Sequence, residues 1–222
     1  MNIKTKDAIN IRYSNLAGKS CCLSCGGAVD HCNIRQGDIC VDLGSGRGID
    51  LIKMAEKTGE SGRVFGIDIS EGMLKKAKKN TEKFNVKNVT LIKSELQSLP
   101  IDEKFVDVVI SNCTINHADN KQKVWDEVYR ILKPSGYFIV SDIYSSEPVP
   151  DNYKNDPQAV AECWAGSVTK EIYLDQLANA GFKYLEIIEE SEPYQKGKII
   201  VSSWTIKGMK EKNNCECSCS SS

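Results

Sequence analysis

Ten cysteines occur in this 222-residue chain, and their placement bears on chemistry. Cys21, Cys22, Cys25 and Cys32 precede a glycine-rich turn. Cys40 and Cys113 fall in or just past strand-like runs, and Cys163 stands alone in a late helix-like segment. Cys215, Cys217 and Cys219 alternate with other residues in a polar tail. Thiolates are soft ligands and strong nucleophiles, so a group of them near a cofactor site bears on the substrate. Cys21-Cys22-x-x-Cys25 with Cys32 has the ligand types for zinc, but no second pair at ribbon or finger spacing accompanies it. Cys40 and Cys113 have the plainer reading of small buried residues, Cys113 with a supporting role beside the turn.

The turn itself is Asp42-Leu43-Gly44-Ser45-Gly46-Arg47-Gly48, between a strand-like and a helix-like run. Glycines there let the backbone turn sharply and approach a ligand closely. Gly66-Ile67-Asp68 ends the next strand and puts an acid where it can accept from both hydroxyls of a ribose. One residue, Arg47, separates the second and third glycines, which excludes the dinucleotide G-x-G-x-x-G pattern. No lysine followed by serine or threonine closes the loop as a phosphate cradle requires. His31 and His117 are the histidines of the chain. Oxygen and nitrogen acceptors usually need a positioned base, and His117, just past a strand, is the candidate. The plainer role for it is packing. An acceptor that already presents a lone pair needs no base, which turns attention back to soft atoms.

These residues need a scaffold. Strand-like runs at residues 38–43, 63–67, 89–93, 105–110 and 137–141 alternate with helical patterns at 49–57, 71–84 and 122–132, which predicts a parallel sheet with helices on both faces. A proline-rich loop at 147–157 follows, then helices at 156–164, containing Cys163, and at 169–180, capped by Thr169 and ended by Gly181. Two late strands, near 184–189 and 199–206, close the sheet. Four units are expected: an N-terminal cap and thiol segment (1–37), a nucleotide-binding core (38–142), a C-terminal elaboration completing the sheet (143–207) and a flexible Cys-rich tail (208–222).

Lysine plus arginine (29) nearly balances aspartate plus glutamate (30), and the net charge of -1 argues against a nucleic-acid partner. No leader with a cleavage site and no run near the roughly 18 apolar residues of a membrane span is evident. A cytoplasmic location, with reduced thiols, is expected.

Val41-Asp42-Leu43-Gly44-Ser45-Gly46-Arg47-Gly48 resembles the first motif of class I S-adenosylmethionine-dependent methyltransferases. The resemblance implies a Rossmann-like, mostly parallel α/β sheet with a C-terminal antiparallel hairpin. It implies S-adenosyl-L-methionine as cofactor, with Asp42, Gly44, Ser45, Gly46 and Gly48 at its amino-acid part. Asp68 would then lie at ribose and Glu95-Leu96 at adenine, while Asp107, Ser111 and Asn112 of the fourth strand also fit the pattern. Longer segments resemble the arsenite methyltransferase family: Ser111-Asn112-Cys113-Thr114-Ile115-Asn116, Glu127 through Pro134, and Ser141-Asp142-Ile143-Tyr144. Leu23-Ser24-Cys25-Gly26-Gly27 is similar to the setting of that family's cysteine before the first motif. Cys163-Trp164-Ala165-Gly166 is similar to its later cysteine and small-residue turn.

The implied substrate is arsenite or its thiol conjugates, methylated in arsenic detoxification, with glutathione or a thioredoxin-type reductant. Trivalent arsenic is thiophilic and pyramidal, so thiolates on one side leave its lone pair pointing away, and transfer then needs orientation rather than a base. Cys25 and Cys163 are the expected catalytic ligands. The family adds a cysteine nearer the C-terminus, whereas none lies here between Cys163 and Cys215. Cys21, Cys22, Cys215, Cys217, Cys219 or glutathione are the candidates for the third position. Two rival expectations stand beside this one: a methyltransferase for a small organic acceptor with structural thiols, and a non-catalytic metal- or metalloid-binding protein.

Overall fold

The computed structural model describes residues 3–18 and 26–212. A helix not anticipated from periodicity comes first, α1 (Ile3–Leu16). The nucleotide-binding core follows as β1 (Ile39–Leu43), α2 (Ile49–Thr58), β2 (Arg63–Asp68), α3 (Glu71–Lys83), β3 (Val89–Lys93), β4 (Val106–Asn112), α4 (Lys121–Ile131) and β5 (Leu132–Ser145). Then come α5 (Asp151–Lys154), α6 (Pro157–Ala161), α7 (Lys170–Asn179), β6 (Tyr184–Glu190), β7 (Tyr194–Lys196) and β8 (Ile199–Met209).

The strands form one sheet in the order β3-β2-β1-β4-β5-β8-β6, with β7 also paired to β8. β1 through β5 run parallel, and β8 runs antiparallel to β5, β6 and β7. This is the mostly parallel sheet that the pattern predicts, with the antiparallel C-terminal strands that the resemblance implies. Alternation along the central strands sorts side chains to two faces. Val41, Leu43, Val109, Phe138 and Val140 join one core with Trp125, Tyr173 and Phe182 of the α4–α7 side. Cys40, Val64, Val108, Ile110 and Ile139 join the other, with Leu51, Met54 and Ala55 of α2. Cys40 is therefore the core residue expected, and burial pushes its thiol pKa well up.

Capping follows local chemistry. Ser70 accepts from the Met73 amide at the start of α3, and Thr169 accepts from Ile172 at the start of α7. Asp156 caps α6, with Pro157 in the first turn. That helix is shorter than the pattern predicts: it ends at Ala161, and Cys163 lies outside it with φ +76°. β8 runs three residues beyond the expected strand end at Ile206, and Lys210 is buried, its ammonium donating to the carbonyls of Tyr129 and Leu132. No helix among the described residues is long and apolar enough to cross a membrane.

Candidate active site

β1 sits between β2 and β4, where the winding of the sheet reverses, and a cleft opens at the C-terminal ends of these strands. It has a volume of about 570 Å³. Its floor is the loop from β1 to α2. Gly44 and Ser45 donate their amides to the Ile67 carbonyl at 2.7 and 2.9 Å, which draws the loop onto β2. Gly44 has φ +76°, and a Cβ there would lie 2.0 Å from Thr114 Oγ1, so both conformation and space demand glycine. The Gly46 amide donates to Asp68 Oδ2 at 2.9 Å, and the Ser70 amide donates to Asp68 Oδ1 at 2.8 Å. Each oxygen of Asp68 keeps capacity to accept from a further donor.

The expected residues are mostly brought together. Asp42, Gly44, Ser45, Gly46, Asp68, Glu95, Leu96 and Asn112 all line the cleft. Gly48 ends the loop at φ +75°, where a Cβ would press on Ala77 of α3 at 3.0 Å. The Ser45 hydroxyl turns toward Gly66 and has no hydrogen-bond partner among the described residues. Asn112 Nδ2 donates to Asp50 Oδ2 at 2.9 Å, and its Oδ1 accepts from the Ala28 amide at 3.3 Å. Asn112 thus braces α2 and the N-terminal segment around the cleft. Asp107 does not belong to the site. Its carboxylate accepts from the Ile39 amide at 2.9 Å and from Lys133 at 2.7 Å, at the opposite end of the strands.

Asp42, Asp50 and Asp68 lie together in a cleft whose lining also carries Arg47, Lys53 and Lys76. Burial raises the pKa of Asp42 well above the usual carboxylate range, and the carboxylates of Asp50 and Asp68 raise it further. Burial also raises Asp68, against the pull of three backbone amides. A ligand carrying positive charge beside a hydroxyl-bearing sugar relieves this repulsion. An ammonium and a sulfonium at the glycine loop, with a ribose at Asp68, fit the residues present.

Beside the glycine loop, where Thr114 abuts Gly44, the lining continues through Cys113, His117 and Tyr13. Cys163 is packed directly behind, its thiol donating to the Cys113 carbonyl at 3.4 Å. Both cysteines are buried, and both hold left-handed backbone, φ +52° at Cys113 and +76° at Cys163. Non-glycine residues in this region are strained, and such strain gathers at functional sites. The turn after Cys163 is pressed onto the β4 loop: a Cβ on Gly166 would lie 1.9 Å from the Asn116 carbonyl oxygen. Asn116 is held in turn, donating to Asp142 at 2.9 Å and to the Ile143 carbonyl at 2.8 Å. On its outer side Trp164 meets Gly197, the turn between β7 and β8.

Cys25, Cys21, Cys22, Cys215, Cys217 and Cys219 lie outside the described residues. Gly26 and Gly27, which follow Cys25, line the cleft, and a Cβ on Gly26 would overlap Ser141. Cys32 has a structural place: its buried thiol donates to the Ala28 carbonyl at 3.3 Å, and burial lifts its pKa to about 12. Among the described residues no group of three or more Cys, His, Asp or Glu is arranged to hold a metal ion. The pairing of Cys113 with Cys163 was not apparent from the chain. Fifty positions separate them, and the nearest signal was the Ser-Asn-Cys segment itself.

His117 is fixed at both ring nitrogens. Nδ1 lies 3.0 Å from the Val160 carbonyl, which can only accept, so Nδ1 carries the proton. Nε2 then accepts from the Tyr13 hydroxyl at 2.9 Å. Burial lowers its pKa to about 4, with the Val160 bond acting in opposition. It is a neutral, doubly bonded group rather than an available base.

The fold and the cleft define a class, the class I S-adenosylmethionine-dependent methyltransferases. The chain belongs to the methyltransferase-domain family, whose model matches residues 34–215. An arsenite methyltransferase from Halobacterium salinarum is 36% identical over 182 residues, covering 82% of this chain and 46% of the relative. The human arsenite methyltransferase is 36% identical over 137 residues, covering 58% of this chain and 36% of the relative. The chain thus spans half or less of the length of these relatives. The arsenic(III) S-adenosylmethionine methyltransferase of Chlamydomonas reinhardtii superposes with a TM-score of 0.72 at 24% identity, covering 95% of this chain and 74% of the other. A phosphoethanolamine N-methyltransferase from Haemonchus contortus superposes with a TM-score of 0.74 at 15% identity, covering 96% of this chain and 61% of the other.

Proposed function

We propose that this protein methylates trivalent arsenic, held by the thiolates of Cys113 and Cys163 at the acceptor end of the donor cleft. The observation that supports the reading is the Cys163 thiol seated on the Cys113 carbonyl, two buried cysteines of positive φ of which Cys113 lines the cleft. The relatives named arsenite methyltransferases support it. Cys25 is the third ligand in this reading, because the two residues that follow it line the same cleft.

Arsenite loads without a base: each thiol proton departs with an arsenic-bound hydroxide as water, and an As–S bond replaces As–O. The thiolates occupy one side of the pyramid and turn the arsenic lone pair toward the glycine loop. S-adenosylmethionine, when bound, would supply an electrophilic methyl group to the arsenic lone pair, with S-adenosylhomocysteine as the leaving group. Asp42 and Asp50 would hold the cationic end of the donor and Asp68 its ribose, while Leu96 and Ile69 would give its base an apolar wall. The product is formally pentavalent, so a two-electron thiol reductant, glutathione or a thioredoxin-type protein, restores the trivalent state. The cytoplasm, which keeps thiols reduced, is the compartment for this chemistry, and arsenic detoxification is the role.

The test is direct. The protein is incubated with arsenite, S-adenosylmethionine and glutathione, and the arsenic is speciated. Methylated arsenicals are expected. An unchanged arsenite peak overturns the proposal, and turnover with a carbon, nitrogen or oxygen acceptor alone would assign the cleft to that chemistry.

A further inference from the structure

The solvent face of α3 is strongly basic. Between Glu71 and Lys93 the chain carries seven lysines and two glutamates, although the whole protein has a net charge of -1. Lys75, Lys78, Lys79, Lys83 and Lys87 are all exposed. Lys75, Lys79 and Lys83 recur at every fourth residue and so form one row, where like charges repel and weaken the helix. The two glutamates answer little of this. Glu71 pairs with Lys93, and Glu82 lies 4.0 Å from Lys78. Lys75, Lys79, Lys83 and Lys87 form no ion pair among the described residues. The row ends at Phe84, which is 57% exposed and has the Lys83 ammonium 5.8 Å from its ring centroid. The apolar side of α3 already faces the core through Met73 and Ala77, so this ring is left outside it. The face also adjoins the cleft. Lys76 and Asn80 of the same helix line it, and Asn80 Nδ2 donates to the Arg47 carbonyl of the glycine loop at 2.8 Å.

We propose that this face docks an acidic protein dithiol of the thioredoxin type, with Phe84 as the apolar anchor, and so brings the required reductant to the cleft. The partner's task rests on the proposed function, and its charge on the surface itself. A basic face attracts an acidic partner over a distance and orients its approach. An exposed aromatic ring at the end of the row is the kind of contact that dominates binding once a partner covers it. A nucleic-acid backbone offers such a ring no pocket, and a membrane would meet a single ring on a protein acidic elsewhere. The reductive step balances. Pentavalent methylarsenic held by three thiolates takes two electrons from the dithiol, which becomes a disulfide. One As–S bond breaks, and that sulfur leaves as a thiol with one proton of the dithiol. The other proton passes to water. A dithiol delivers both electrons in one encounter, which a docked partner makes productive.

The first measurement uses the full chain and no arsenic. A thioredoxin of net negative charge, with both redox cysteines replaced by serine, is titrated onto the protein by microscale thermophoresis. Wild-type affinity should fall as salt rises. Lys79→Glu combined with Lys83→Glu should weaken binding about tenfold and remove most of the salt dependence. Phe84→Ala should weaken it about fivefold and keep the salt dependence. If Phe84→Ala lowers the melting temperature, the lysine variants decide. The second measurement follows arsenite methylation with active thioredoxin or with uncharged 2-mercaptoethanol. The charge reversal should raise the KM for thioredoxin about tenfold and leave the rate with 2-mercaptoethanol unchanged. Absent binding, or affinity that ignores the lysine substitutions, overturns the proposal. So does a face that binds phosphatidylserine vesicles or duplex DNA while thioredoxin affinity stays unaltered by the substitutions. Absence of methylation with either reductant would overturn the arsenic reading and the partner's task with it, while the affinities would still decide the docking surface.

Discussion

Cys113 and Cys163 are placed differently from the other described thiols. Cys32 and Cys40 are buried among apolar neighbours with their pKa values pushed up, which makes them inert. Cys113 lines the donor cleft and Cys163 abuts it. Replacing either by serine keeps the volume and removes a soft ligand. Each substitution should lower arsenite affinity by more than the roughly 100-fold attached to losing an outer-shell partner. S-adenosylmethionine affinity should not change. Titration calorimetry with each ligand separates the two effects, and wild-type arsenite binding by both variants would remove these residues from the site.

His117 makes a pH prediction at the same scale. Its folded pKa is lowered to about 4, from an ordinary value near 6.5. Between those values the unfolded chain binds a proton that the fold does not, so stability is lost as pH falls through this window. The loss amounts to roughly 2–3 kcal/mol between pH 7 and 4.5. Urea unfolding at the two pH values should show the wild type losing that much more than His117→Asn. Equal losses would mean the histidine is not held neutral.

Among the elements, the turn from Cys163 to Gly166 is the most constrained. It is wedged between the Asn116 carbonyl and the β7–β8 turn at Gly197. Gly166→Ala places a carbon where the Asn116 oxygen sits and forces the backbone apart. About 1–3 kcal/mol of stability should be lost, and arsenite binding should weaken while cofactor binding persists. Thermal unfolding together with the two affinities checks this.

The same turn shows where sequence patterning stops being informative. The parallel strands and the loop at Gly44 could be recognised because alternation and glycine spacing are local signals. The break after α6 could not, since it depends on a carbonyl from β4 and an indole packed on a distant hairpin. Helix α1 escaped notice for a related reason. Its seat comes from Lys6, Arg12, Tyr13 and Ser14 meeting polar groups far along the chain, not from an apolar stripe. For the site, most of the motif residues line one cleft, because the glycine loop and the strand ends that flank it are local signals. Cys113 reads in the sequence as a buried residue with a supporting role beside the turn, and its contact with Cys163 is not legible there because only the fold sets one against the other.

At the scale of the molecule, the donor cleft and both cores are complete within the described residues, and Lys210 anchors the end of β8 beneath Tyr129 and Leu132. Ending the chain at Lys212 should therefore leave the melting temperature and S-adenosylmethionine affinity unchanged. The first methyl transfer should survive as well, since Cys113, Cys163 and Cys25 all remain. Differential scanning calorimetry and arsenic speciation on the truncated chain test this. Loss of monomethylated product would give Cys215, Cys217 or Cys219 the third position in place of Cys25.

The antiparallel end of the sheet has a consequence in time. β8 lies between β5 and β6, and residues 199–201 pair with β7, so among the described strands β6 has no neighbour until the last strand exists. On a ribosome the parallel strands that carry the glycine loop emerge early and can close on one another. The hairpin turn that supports Trp164 emerges some 30 residues after it (Trp164 to Gly197). The strands that carry the glycine loop can therefore pair before the Cys163 turn is held, so the two parts of the cleft's surroundings are set at different times.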